Sequence, residues 1–167
     1  MAVKPFITVI LPVRNEDKHI ERTLNSIVGQ TISKDFLEVL VIDGNSSDST
    51  PEIISLYSQK YNYIKLLKNP DQNTIAALNL GIRESSGDII IRVDGHTYLE
   101  KDYIEQCIDA LQRTGADNVG GAMRPTGETY IQKAIAFATR SFFGIGPGKF
   151  HYSQKEEYVD TVYLGAF

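Results

Sequence analysis

Apolar residues come in short unbroken runs, separated by longer stretches in which they recur on one helical face. Phe6 to Leu11 is an apolar run closed by Pro12, which predicts a strand buried on both faces. Ile20, Leu24, Ile27 and Val28 then fall on one side of a helix, with Gly29 as its stop. Phe36 to Ile42 predicts a second strand ending on Asp43-Gly44, and Asn45 to Ser49 a polar loop. Thr50 reads as the cap of the next helix, Pro51 as its first residue, and Ile53, Ile54, Tyr57 and Tyr61 as its stripe. Tyr63 to Leu67 is a third strand and Asn69-Pro70-Asp71 a turn. A helix over Asn73 to Glu84 follows, with Ile75, Leu78 and Ile82 expected to face inward and Ala76 and Ala77 to allow close packing.

The stretch Asp88 to Leu99 carries the fourth strand, which ends on Asp94-Gly95-His96. Asp102 to Gln112 predicts a helix burying Ile104, Cys107, Ile108 and Leu111, and Asn118 to Met123 a strand weakened by Gly120 and Gly121. Four alternations of strand and helix, with strands too apolar for a half-exposed sheet, indicate an α/β domain: a mostly parallel sheet with helices on both faces. Such sheets bind ligands at the carboxyl ends of their strands. Pro12 to Glu16, Asp43, and Asp94 with His96 all fall there, on three different strands.

Past Arg124 the pattern loosens. A helix over Tyr130 to Thr139, a partly apolar loop over Phe142 to Gly148 and a strand-like Tyr158 to Phe167 are expected. Residues 1–125 therefore read as one half of a domain and residues 126–167 as an incomplete second half. The apolar ending, Val162 to Phe167, reads as a chain cut from a longer one.

Composition narrows the classes. The chain has 167 residues, enough for one domain with a real core, and a net charge of −4. That charge, without a basic run, argues against nucleic acid as a partner. One cysteine, Cys107, excludes an internal disulfide and sits on a predicted core face. No signal peptide or long apolar span is visible, so a soluble, cytoplasmic chain is expected, with membrane contact only through segments outside it.

The candidate chemistry lies at the strand ends. A divalent ion on a diphosphate needs one or two protein ligands, and Asp94 and His96 flank a glycine that allows close backbone approach. Imidazole suits Mn²⁺ better than Mg²⁺. The competing reading is a turn with Asp94 as a cap and His96 on the surface. Asp43 is placed to accept from a base N–H or a ribose hydroxyl, or else to shape its own loop. Asp48 reads as a loop-shaping residue, and His19 and His151 as surface residues. Pro12-Val13-Arg14-Asn15-Glu16 is a polar cluster whose backbone amides and Asn15 suit a nucleotide, and Glu16 alternatively complements a helix dipole. Asn45 belongs to the loop after Asp43. No G-x-G-x-x-G, phosphate-loop or G-x-S-x-G motif is present, which argues against a pyridine-nucleotide enzyme, a P-loop NTPase and an α/β-hydrolase.

Taken together, ITVILPVRNE (Ile7 to Glu16), VLVIDGNSSDST (Val39 to Thr50), AALNLGI (Ala76 to Ile82) and GDIIIRVDGH (Gly87 to His96) resemble a family 2 glycosyltransferase of the GT-A fold. The likeness covers about the first 125 residues. The Asp-Gly-His form, with Asn118 to Gly121 and Thr161 to Phe167, is most similar to the succinoglycan-type bacterial exopolysaccharide transferases. The resemblance implies a Rossmann-like three-layer sandwich and transfer of a sugar, with inversion, from a UDP- or GDP-type sugar to a saccharide or lipid-linked acceptor. It implies Mn²⁺ or Mg²⁺ as cofactor and action at the cytoplasmic face of the membrane. Pro12, Val13, Asn15, Glu16, Asp43 and Asn45 would bind the nucleotide. Asp94 would be the first residue of the family's D-x-D motif, holding metal and diphosphate, and His96 departs from its usual second Asp. The family's cation near the start of the third helix has no counterpart around Asn69 to Thr74, and its catalytic base would lie beyond Phe167. A non-catalytic sugar-nucleotide-binding module and a nucleotidyltransferase are the alternatives. The latter would need a Gly- and Lys/Arg-rich loop that Pro12 to Asp17 does not supply.

Overall fold

A computed structural model describes residues 5–127, 129–140, 151–153 and 155–167. Its strands are β1 (Ile7–Val13), β2 (Leu37–Asp43), β3 (Ile64–Lys68), β4 (Ile89–Arg92), β5 (Val119–Gly121) and β6 (Tyr163–Ala166). The helices are α1 (Ile20–Val28), α2 (Thr50–Lys60), α3 (Thr74–Glu84), α4 (Tyr103–Thr114) and α5 (Tyr130–Ala138). One sheet runs in the order β3-β2-β1-β4-β6-β5. The pairings among β1 to β4 are parallel, as the apolar runs predicted, and β6 lies antiparallel between β4 and β5.

The period-two alternation of a strand sorts the core into two layers. Odd-numbered Ile7, Val9, Leu11, Val39, Val41 and Ile91 pack with Leu24 and Ile27 of α1, Ile54 of α2 and Ile104 of α4. Even-numbered Ile10, Leu40 and Ile42 face α3 through Ala77, with Leu78 and Leu80 beside it. The first layer includes Cys107, whose thiol burial pushes up to about 11, so it is a core residue.

Helix α3 corrects one expectation. Ile75 is 73% exposed and Ile82 is also exposed, while Ala77 and Gly81 are buried. A Cβ on Gly81 would lie 2.6 Å from Ile10 Cγ2 and 2.8 Å from Ile42 Cδ1. The sheet already contributes bulky Ile and Leu side chains at this contact, so close packing selects the small face of the helix rather than its large apolar one.

Smaller differences concern ends. Ser49, not Thr50, is the residue before α2, and Thr50 is buried as the first helical residue. Strand β5 covers only Val119–Gly121, and β6 only Tyr163–Ala166 of the longer strand-like run. Gly115 terminates α4 in the left-handed region, φ 67, as a helix-ending glycine does. A capping box of Thr129 and Gln132 starts α5 where that helix was expected. The loop expected over Phe142 to Gly148 lies outside the described residues. Among the described residues no helix is long and apolar enough to cross a membrane.

Candidate functional site

The carboxyl ends of β1, β2 and β4 open onto a cleft of about 550 Å³. Pro12, Val13 and Glu16 line it from the first strand's end, Gly44 from the second, and Arg92, Asp94 and His96 from the fourth. Parallel register sets this alignment: Val13 pairs with Asp43, and Gly44 N donates to Val13 O at 2.8 Å.

Asp43, the last residue of β2, and Asn15 and Asn45 in the adjoining loops do not line the cleft wall. Asp43 is 6% exposed, and its carboxylate accepts from Ser46 N at 3.1 Å and from the Ser46 hydroxyl. Asn15, at φ 55, donates from its backbone N–H to Ser46 Oγ at 2.9 Å, and its Oδ1 accepts from Ser47 N at 2.8 Å. These bonds stitch the loop after β1 to the loop after β2. Asn45 is exposed at φ 60. Glu16 N donates to Thr50 Oγ1 at 2.8 Å, which explains why Thr50 is buried. Asp48 shapes the same loop, accepting from Thr50 N and Asp17 N. Desolvation raises its carboxyl pKa, but the Thr50 and Asp17 donors outweigh it and hold the group below its usual value.

At the end of β4, Asp94 Oδ1 accepts from Arg92 Nε at 3.0 Å, and Arg92 Nη2 lies 3.0 Å from the same oxygen. The Asp94 side chain is 22% exposed. Gly95 is where the backbone makes its close approach, though to protein: a Cβ there would lie 2.9 Å from Val13 Cγ1 and 3.0 Å from Glu16 Cγ. The His96 imidazole pairs with Glu16, its Nδ1 2.9 Å from Glu16 Oε1. Among the described residues no three His, Cys, Asp or Glu side chains converge as metal ligands. The donor set therefore fits a divalent ion held by Asp94, whose contact with Arg92 uses one oxygen. His96 Nε2 is a second donor, and the rest of the shell would come from phosphate oxygens and water. It does not fit an ion held by protein alone.

Two arginines carry no site role in the sequence reading. Arg14 reaches from the end of β1 to the loop before α3, donating to Gln72 O at 3.3 Å and Gln72 Oε1 at 2.9 Å. It thus places a cation where none was found between Asn69 and Thr74. Arg92 closes β4 and sits two residues before Asp94, near enough along the chain for its guanidinium to reach the Asp94 carboxylate. That spacing was legible in the sequence; the reach of Arg14 was not.

Comparison with known proteins gives this geometry a context. The family model described as "Glycosyl transferase family 2" matches residues 8–157. Glycosyltransferase AglE of Haloferax volcanii is 36% identical over 137 residues, covering 80% of this chain and 45% of its own length. Succinoglycan biosynthesis protein ExoA of Rhizobium meliloti is 33% identical over 143 residues, covering 84% of this chain and 43% of its own. The dolichyl N-acetyl-alpha-D-glucosaminyl phosphate 3-beta-D-2,3-diacetamido-2,3-dideoxy-beta-D-glucuronosyltransferase of Methanococcus voltae is 30% identical over 169 residues, covering 97% of this chain and 52% of its own. The chain thus spans about half the length of these curated relatives. Among solved structures, the mannosyltransferase PcManGT from Pyrobaculum calidifontis, in complex with GDP-Man and Mn²⁺, superposes with a TM-score of 0.69 at 26% identity over 83% of this chain and 41% of its own. Staphylococcus aureus TarS in complex with UDP shares the fold, with a TM-score of 0.66 at 24% identity over 74% of this chain and 37% of its own. The sheet is a GT-A sheet, and the chain belongs to glycosyltransferase family 2.

Proposed function

We propose that this chain binds a nucleoside-diphosphate sugar in the cleft at the ends of β1, β2 and β4, as the donor half of an inverting glycosyltransferase that builds cell-surface polysaccharide. One observation carries the reading: Asp94 and His96 line the same cleft as the end of β1. The likeness to a mannosyltransferase solved with GDP-Man and Mn²⁺ supports it. Residues 1–125 hold the donor, and residues 126–167 begin the acceptor side. The intact protein works at the cytoplasmic face of the membrane on a saccharide or lipid-linked acceptor.

The roles follow from chemistry. Asp94, with His96, holds Mn²⁺ or Mg²⁺, which when bound stabilises the charge of the departing diphosphate. Arg92 orients Asp94 through Oδ1. Arg14 and Gln72 close the far side of the cleft, where a guanidinium matches a phosphate or a base carbonyl. Asn15 and Asp43 fix the loops that flank the nucleotide, whose base extends past the cleft wall toward Asp43 and Asn45. The acceptor hydroxyl attacks the anomeric carbon while a general base takes its proton. No residue of the cleft is assigned as that base.

Calorimetric titration of UDP, GDP and their sugars, with and without Mn²⁺, tests the reading. Metal-dependent binding is expected, and Asp94→Ala weakens it about a hundredfold, or about 2.7 kcal/mol. Binding that ignores both the metal and Asp94 overturns the assignment.

A further inference from the structure

The turn after β4 has two sides. Asp94, Gly95 and His96 line the donor cleft, whereas His96, Thr97 and Tyr98 line a second cleft of about 470 Å³. Arg22 of α1 and Met123 and Arg124 after β5 enclose that second space. The ridge between the two is pinned, because Thr23 Oγ1 donates to Gly95 O at 2.8 Å and Gly95 has no free space toward Val13. His96 is the wall they share. A ligand in the second cleft therefore lies beside whatever the first one holds.

Both cations of this cleft are without a carboxylate partner among the described residues. Arg92 and Arg113 pair with carboxylates, but neither Arg22 nor Arg124 forms an ion pair among the described residues. The Arg22 guanidinium lies 5.1 Å from the centroid of the Tyr98 ring. Arg124 donates only to main-chain carbonyls, at 3.2 Å to Met123 O, 3.1 Å to Ser153 O and 3.5 Å to His151 O. Ring and carbonyls hold these cations in place without neutralising them. Glu100 is the one carboxylate on the described lining, in a chain whose net charge is −4.

We propose that the second cleft binds the acceptor through a phosphate ester, with Arg22 and Arg124 as its cations. This rests on reading the first cleft as the sugar-nucleotide site. A phosphate ester carries up to two negative charges and several acceptor oxygens, which suits two guanidinium forks better than a neutral sugar does. A sugar phosphate and a lipid phosphate share this chemistry.

The test titrates geranyl phosphate and glucose 1-phosphate, each against its unphosphorylated counterpart, geraniol and glucose, in the presence of GDP or UDP and Mn²⁺. At least one phosphate ester is expected to bind and its counterpart not to. Preference for geranyl phosphate assigns a lipid-linked acceptor, and preference for glucose 1-phosphate a sugar phosphate. Arg22→Gln and Arg124→Gln each weaken that binding about tenfold, the loss of a charge-assisted contact, and leave nucleotide binding at the wild-type level. Arg124 also anchors the carbonyls of His151 and Ser153, so Arg22→Gln carries the test if Arg124→Gln fails to fold. Equal binding of ester and alcohol overturns the proposal, as does ester binding that survives Arg22→Gln or is displaced by nucleotide. Nucleotide binding to the unaltered protein is measured first. Its failure overturns the donor reading, whereas nucleotide binding with Arg22-independent ester binding overturns only this one.

Discussion

Two carboxylates on the same sheet, Glu38 at its amino edge and Asp94 at its carboxyl edge, show how differently a fold can treat one chemical group. Glu38 has a side chain only 5% exposed and is surrounded by donors: Thr8 Oγ1 at 2.7 Å, Ser86 N at 2.6 Å and Lys65 Nζ at 3.3 Å. Thr8 Oγ1 in turn accepts from Gly87 N at 2.9 Å, so the cluster ties the β1–β2 pair to the chain entering β4. Burial alone would raise the Glu38 pKa, yet the bonds from Thr8, Ser86 and Lys65 bring it below its ordinary value. Asp94 has one cation on one oxygen and is 22% exposed. A buried carboxylate with both oxygens engaged stabilises the fold; one with an oxygen left unengaged in a cleft is available for a ligand.

That contrast is open to measurement. The largest effect is expected at the amino edge, where Glu38→Gln removes the Lys65 pairing and turns an acceptor into a donor in a buried site. It should cost about 3 kcal/mol in denaturant unfolding while nucleotide affinity of the folded protein stays within about twofold. The pH dependence has a definite sign. Because the native pKa is depressed, Glu38 contributes its full stability above the unfolded value of about 4.3 and loses it as pH falls through the lower native value. The wild type and Glu38→Gln curves should therefore converge on acidification, and a gap that persists at pH 2 would refute the role of the charge.

At the carboxyl edge the order reverses. Asp94→Ala, which weakens metal-dependent nucleotide binding about a hundredfold, should shift the melting temperature by no more than about 2 °C, because a half-exposed ion pair adds little stability. A large loss of stability would make Asp94 a structural residue like Glu38. Gly95→Ala tests the ridge between them in kind. Its Cβ must displace Val13 Cγ1 or Glu16 Cγ, which moves the partner of His96. About a fivefold loss of nucleotide affinity is expected, with about 1 kcal/mol of destabilisation. Ile75→Lys is the smallest: on the exposed face of α3 it should change stability by no more than about 0.5 kcal/mol, and a loss near 2 kcal/mol would restore the inward-facing assignment.

Much of this was legible in the residues. Apolar runs such as Phe6 to Leu11 and Val39 to Ile42 can be satisfied only by burial on both faces, so strands, parallel order and two helix layers followed from pattern and chemistry. The strand-end positions of Glu16 and Asp94 followed too, because alternation and strand length set where a chain leaves the sheet. The motifs ITVILPVRNE and GDIIIRVDGH then pointed to the family in which the chain belongs.

Other features depend on residues distant in sequence and needed the assembled chain. Ile75 turned outward because Ile10 and Ile42, contributed by two other strands, had already filled the space α3 packs against. Periodicity along one helix carries no record of the size of its opposite partners. Arg14 reaching Gln72, and His96 pairing with Glu16, are contacts across 58 and 80 residues. The antiparallel insertion of β6 between β4 and β5 is of the same kind. Thus the sequence by itself determined the fold class and the strand ends at which Glu16, Asp43 and Asp94 stand. Side-chain partners and packing faces were decided only in three dimensions, where competing groups claim the same space and the same hydrogen bonds.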